Sequence, residues 1–143
     1  MIIDDIIEKT KERVEENKKR NSIDKLAKLA FAKPIYNDFP FEKALRKPGL
    51  SYIMEVKRAS PSKGVITQNF DYKTIAKEYE DIGAAAISVV TEPDFFKGDD
   101  DFLAEIKKIV KIPVLRKDFV IDEYMIYEAK LLGADAVLLI CSV

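Results

Sequence analysis

The sequence contains no histidine, one cysteine and no apolar run long enough to span a bilayer. Cys141 alone excludes an internal disulfide framework, and without histidine it cannot complete a zinc site. Excess charge of one sign is also lacking: the formal net charge is -1 although 34% of residues are charged, so nothing marks a nucleic-acid or anionic-membrane partner. Met1-Ile2-Ile3-Asp4-Asp5 is acidic and then amphipathic, unlike the basic and apolar regions of a secretory leader. A reducing cytoplasm is the expected location. No metal or nucleotide motif is present, and the sequence predicts no cofactor.

What is present is one domain's worth of chain, 143 residues, patterned in two ways. Residues 1–50 read as a helical N-terminal extension. Ile2, Ile3, Ile6, Ile7 and Val14 fall at helical spacing, and Glu8 to Arg20 is dense in charge without glycine or proline. A second helix through Ile23, Leu26, Leu29 and Ala30 ends near Pro34, which disfavours helical backbone before it. Pro40 to Lys47 makes a further short helical turn. From Ser51 short apolar runs alternate with capped helices. Strands are expected at Tyr52–Lys57, Ala84–Thr91, Ile112–Leu115 and Ala134–Ile140, the last continuous enough to be buried on both sides. Between them lie helices capped by Asp71, by Asp99 or Asp100, and by Asp122; Gly83 and Gly133 close the first and last. Such alternation implies parallel strands with right-handed crossovers, an α/β fold of βαβαβαβ order over 51–143.

In parallel α/β folds reactive side chains collect at the carboxyl ends of strands. Here those ends carry Glu55 and Lys57 with a Ser60-Pro61-Ser62 loop, then Thr91-Glu92 followed by Phe95 and Phe96, then Arg116-Lys117-Asp118-Phe119. Glu55 and Lys57, two residues apart in a strand, point the same way, so they form an ion pair or part of a site. A lysine in a partly desolvated position can protonate a carbonyl or hydroxyl oxygen, or form a Schiff base with a carbonyl. Spacing alone leaves simpler readings open: Glu55 and Lys57 as a solvated pair, Lys117 as an exposed lysine, the phenylalanines as core, Ser60 and Ser62 as turn formers.

The run Glu55-Val56-Lys57-Arg58-Ala59-Ser60-Pro61-Ser62-Lys63-Gly64 resembles the signature of indole-3-glycerol-phosphate synthase. Ser88-Val89-Val90-Thr91-Glu92 with Phe96-Lys97-Gly98, Ile112 to Phe119, and Gly133 to Ile140 resemble that family's later segments in order and spacing. The resemblance implies the first four strands of a (β/α)8 TIM barrel behind an extra helical N-terminal segment. It implies an enzyme that converts 1-(2-carboxyphenylamino)-1-deoxyribulose 5-phosphate to indole-3-glycerol phosphate in tryptophan biosynthesis, a decarboxylating lyase with a small phosphorylated substrate and no cofactor. Lys117 would be the general acid, Lys57 would hold the substrate's carboxylate or phosphate and assist loss of water, and Glu55 would keep Lys57 charged and aimed. Phe96, Phe119 and Leu138 would line the anthranilate pocket; Ser60 and Ser62 would order the loop above it.

The family's pattern continues through four more strand-helix units, which carry a second catalytic glutamate, a substrate-binding asparagine and the phosphate-holding loops. The expectation is therefore an amino-terminal half, impaired in isolation, that self-associates through open sheet edges or is completed by a carboxyl-terminal half-barrel. The alternative is a non-catalytic half-barrel that binds phosphorylated or anthranilate-like ligands, or serves as an assembly module.

Overall fold

The computed structural model describes residues 2–35 and 38–143. Three helices come first: α1 (Ile2–Arg20), α2 (Ile23–Ala32) and α3 (Pro40–Leu45). The Ser22 hydroxyl caps α2 by accepting from the Lys25 N–H, and Pro40 opens α3, where its missing N–H is of no consequence. The rest alternates: β1 (Ile53–Val56), a hairpin of β2 (Ala59–Ser60) and β3 (Gly64–Val65), α4 (Tyr72–Asp81), β4 (Ala86–Val90), α5 (Asp100–Ile109), β5 (Val114–Lys117), α6 (Glu123–Leu132) and β6 (Ala136–Val137).

β1, β4, β5 and β6 form one parallel sheet in that order. Asp71, Asp99 and Asp122 cap the three crossover helices, so the second cap is Asp99 and not Asp100. Gly83 and Gly133 end α4 and α6 in left-handed backbone, φ +91 and +94, which glycine adopts without a Cβ penalty. On the face of the sheet that meets α4 and α5, Val56, Ile87, Val89 and Val114 pack with Ala76, Leu103, Ile106 and Val110. A second apolar cluster joins α1 and α2 to α6 through Val14, Leu26, Val120, Tyr124 and Met125.

Three expectations need correction. The third strand lies at Val114–Lys117, later than Ile112–Leu115, because the Ile87 N–H is received by the Pro113 carbonyl and the ladder continues from there through Lys117. Arg116 and Lys117 therefore sit within the strand and face opposite sides. The fourth strand is confined to Ala136–Val137, both only half-buried, and Leu139 is 66% exposed. Among the described residues it pairs with β5 alone, and the half-burial of its apolar run replaces the expected burial on both sides. The Ser/Pro/Gly loop after β1 contains the β2–β3 hairpin, closed at Gly64 with φ +63.

Candidate active site

The parallel register sets the rim. Glu55 lies opposite Ser88, and Val90 opposite Lys117, so these side chains share the face away from the helices. Lys57 follows β1 directly. Its Nζ donates to Glu55 Oε1 at 2.8 Å, while Lys117 Nζ stands 3.7 Å from Glu55 Oε2. One carboxylate thus sits between two ammonium groups delivered by strands that do not pair with each other. All three side chains are about one-third exposed, at 31%, 32% and 35% for Glu55, Lys57 and Lys117. Burial pushes the Glu55 carboxyl up, but the Lys57 hydrogen bond and the Lys117 charge outweigh it and hold Glu55 below the ordinary range. Glu55 is therefore ionised at neutral pH, and both cations are fixed by their common partner.

Beside this trio Phe96 and Phe119 face each other with ring centroids 6.2 Å apart. They line a small concavity with Lys117, Asp118, Val90, Glu92 and Ile140. An apolar wall with an ammonium at its edge suits a flat aromatic ligand carrying an anionic or carbonyl oxygen. Phe96 is placed by Glu92, which is 1% exposed and accepts from the backbone N–H groups of Asp94, Phe95 and Phe96 at 2.8 to 2.9 Å. The loop is tight: Lys97 has φ 54, and a Cβ on Gly98 would stand 2.4 Å from the Val90 carbonyl oxygen. The Phe96 carbonyl in turn accepts from the Ala59 N–H at 3.1 Å, which ties the β2–β3 hairpin to the rim. Ser60 and Ser62 ride on that hairpin with hydroxyls 3.5 Å apart.

The sequence-derived residues thus divide. Glu55, Lys57 and Lys117 are brought together, as are Phe96 and Phe119, and Ser60 and Ser62 are joined to them through Phe96. Leu138 lies just beyond β6, half-buried, its N–H received by the Arg116 carbonyl at 3.3 Å; Ile140 lines the concavity instead. Glu92 emerges as the anchor of the Phe96 loop, a role that a lone acidic residue in sequence does not announce. Arg116 and Asp118, each 2% exposed, are charged and fully inside. Arg116 donates from Nε to Thr91 Oγ1, from Nη1 to the Met125 carbonyl and Glu128, and from Nη2 to Asp100. A run reading Arg-Lys-Asp looks solvated; only strand alternation separates the buried members from Lys117.

Among the described residues no group of three or more His, Cys, Asp or Glu side chains is placed to hold a metal ion, and no helix is long and apolar enough to cross a membrane.

Comparison with known proteins gives a consistent result. The family model described as indole-3-glycerol phosphate synthase matches residues 3–143. The protein of that name from Endomicrobium trichonymphae is 57% identical over 143 residues, covering 100% of this chain and 55% of that protein. The one from Lachnoclostridium phytofermentans is 51% identical over 154 residues, covering 100% and 57%, and the one from Ruminiclostridium cellulolyticum 55% identical over 142 residues, covering 99% and 55%. The chain spans about half the length of the curated relatives it matches.

Proposed function

The chain belongs to the indole-3-glycerol phosphate synthase family, and from that premise we propose that it supplies the acid-catalytic half of the site for closing and dehydrating the indole ring. The family is a TIM-barrel family, and the parallel four-stranded sheet with alternating helices and a helical N-terminal segment is the half of that barrel expected from the sequence. The observation that carries the proposal is the carboxylate of Glu55 held between Lys57 and Lys117 beside the Phe96–Phe119 wall.

The substrate is 1-(2-carboxyphenylamino)-1-deoxyribulose 5-phosphate. Its aromatic ring lies against Phe96 and Phe119. As a ring carbon attacks the ketone, negative charge develops on the carbonyl oxygen, and the Lys117 ammonium stabilises that oxygen and transfers a proton to it. Loss of carbon dioxide is followed by loss of the new hydroxyl as water. Lys57 holds the substrate's anionic group and assists that departure, while Glu55 keeps both ammonium groups in place. The phosphate cradle and the second catalytic carboxylate come from the half of the relatives that this chain does not span. We therefore propose turnover only when that half is supplied, in the same chain or as a separate one. The proposed location is the cytoplasm, where the tryptophan pathway would consume the product.

The test is indole-3-glycerol phosphate formation, followed by indole fluorescence, with the chain alone and mixed with the carboxyl-terminal half of the Endomicrobium relative. The mixture should be active, and Lys117→Ala should abolish turnover while leaving substrate-analogue affinity within a few-fold. Analogue binding without turnover in the mixture would favour the binding-module alternative; loss of analogue binding equal to the loss of turnover in Lys117→Ala would remove the general-acid assignment.

A further inference from the structure

The proposed mechanism uses side chains on the open face of the sheet. It leaves without a role a set of buried charges that begins on the other face of β5 at Arg116 and runs past its end to Asp118. Asp118, whose side chain is 0% exposed, directly follows Lys117. Its Oδ1 accepts from Arg13 Nη2 and from the Phe119 N–H, each at 2.8 Å; its Oδ2 accepts from Thr91 Oγ1 at 2.8 Å and stands 3.5 Å from Arg116 Nη2. The Thr91 N–H is received by the Lys117 carbonyl at 3.1 Å. The peptide units on both sides of Asp118 are thereby tied down, and these are the units that carry Lys117 and Phe119.

Burying charges is an inefficient way to stabilise a fold, since apolar residues of similar volume commonly do as well or better. The role left for such a network is to hold its groups in one arrangement, the best-attested use of buried ionic groups. Arg13 is the cation that α1 contributes to it, and α1 does not need it for attachment. Lys18 reaches Asp122 at 2.8 Å, Asn17 Nδ2 reaches Glu128 at 3.0 Å, the Tyr124 hydroxyl donates to the Asn17 carbonyl at 3.1 Å, and Val14 is buried against α6. If Arg13 were absent, the Asp118 carboxylate would turn toward Arg116, its remaining cation, and would release the Phe119 N–H.

We propose that Arg13 is a positioning residue: from the N-terminal helix it fixes Asp118, and through Asp118 it sets the Lys117 ammonium and the Phe119 ring relative to each other. The proposal rests on the reading of Lys117 as the general acid, and its consequence is that α1 forms part of the active-site scaffold. Arg13 does not line the concavity and acts through Asp118.

The experiment compares Arg13→Met and Arg13→Lys with the parent chain by competitive acetylation of lysines and amide hydrogen exchange, both read by mass spectrometry. Lys107, paired with Asp135 at the amino-terminal end of the sheet, serves as the internal reference. In Arg13→Met the Phe119 amide should exchange about tenfold faster, because it loses its acceptor, and the acetylation ratio of Lys117 to Lys107 should change several-fold. Arg13→Lys, which returns a charge without the planar fork, should lie between. In the mixture with a carboxyl-terminal half, kcat should fall about a hundredfold in Arg13→Met with KM within a few-fold. An unchanged Lys117 ratio and Phe119 amide, or a change shared equally by Lys107, would overturn the proposal and leave Arg13 as a helix anchor only. A parent mixture without turnover would refute the proposed function, and the acetylation and exchange readouts would still decide the role of Arg13.

Discussion

Replacing Arg116 by methionine isolates the buried charge network in a single change. The unbranched side chain fills most of the volume of the arginine stem, so the cavity contribution is small and the loss reports on the partners left behind. Those partners are unequal. Asp118 keeps Arg13, Thr91 and the Phe119 N–H. Asp100 has a side chain 41% exposed and is hydrated again. Glu128 is only 15% exposed and keeps a single partner, the Asn17 amide at 3.0 Å. The cost therefore falls mainly on one nearly buried carboxylate, and about 3 kcal/mol is expected at about pH 7, the lower end of the range for breaking a buried pair.

Acid should relieve that cost. Burial already pushes the Glu128 carboxyl above its ordinary value of 4.5, and Arg116 opposes the rise; without Arg116 the carboxyl moves further up. In the variant the native state then holds a proton that the unfolded chain has released, over the interval from 4.5 upward to the raised native value. Stability contributed by that proton is fully present below the interval and lost as pH rises through it. Urea unfolding followed by circular dichroism should accordingly give a deficit that is largest at about pH 7 and smaller at about pH 4.5. A deficit below about 1 kcal/mol at pH 7, or one of equal size at both pH values, would refute the reasoning and place Glu128 in contact with water.

Glu55→Gln should also lose its effect in acid, for the opposite reason. Glu55 is held below its ordinary value of 4.5, so its contribution is present above that value and disappears as pH falls through the lower native one; unfolding free energies from urea titration should differ by about 1 kcal/mol or less near neutrality and converge in acid, and a gap that persists in acid would contradict the pairing. Gly98→Ala should cost about 1–3 kcal/mol, because the new methyl meets backbone atoms of Val90 and Thr91 that no side-chain rotation can clear. Displaced Phe119 ring resonances should accompany that loss, and an unperturbed spectrum would mean that the loop yields without moving Phe96.

Residues that announce local structure were the legible ones. Asp71, Asp122, Gly83 and Gly133 mark helix ends by cap chemistry, period-two alternation puts Glu55 and Lys57 on one side, and the gathering of polar residues at strand carboxyl ends puts Lys117 on the same rim. The β2–β3 hairpin was not legible because two-residue strands carry no alternation. The short extent of β6 is not legible because an apolar run shows which residues favour burial, not whether other parts of the fold cover them, and the run from Ala136 is only half-buried. The network around Asp118 was hidden for another reason. Arg13 lies on a helix so rich in Lys, Glu and Arg that it reads as a solvated face, and its partner is 105 residues away.

That separation has a consequence in time. Synthesis runs from the amino terminus, so α1 is made before the sheet, yet Asp118, Asp122 and Glu128, which receive Arg13, Lys18 and Asn17, are 105, 104 and 111 residues downstream. At a rate of about 5–20 residues per second, the helix waits on the order of 5–20 s before any of these partners has been polymerised. During that interval Ile6 and Val14, buried in the finished protein, have no surface of the sheet or of α6 to rest on. The many charges along the remainder of the helix keep the nascent segment in solution while it waits.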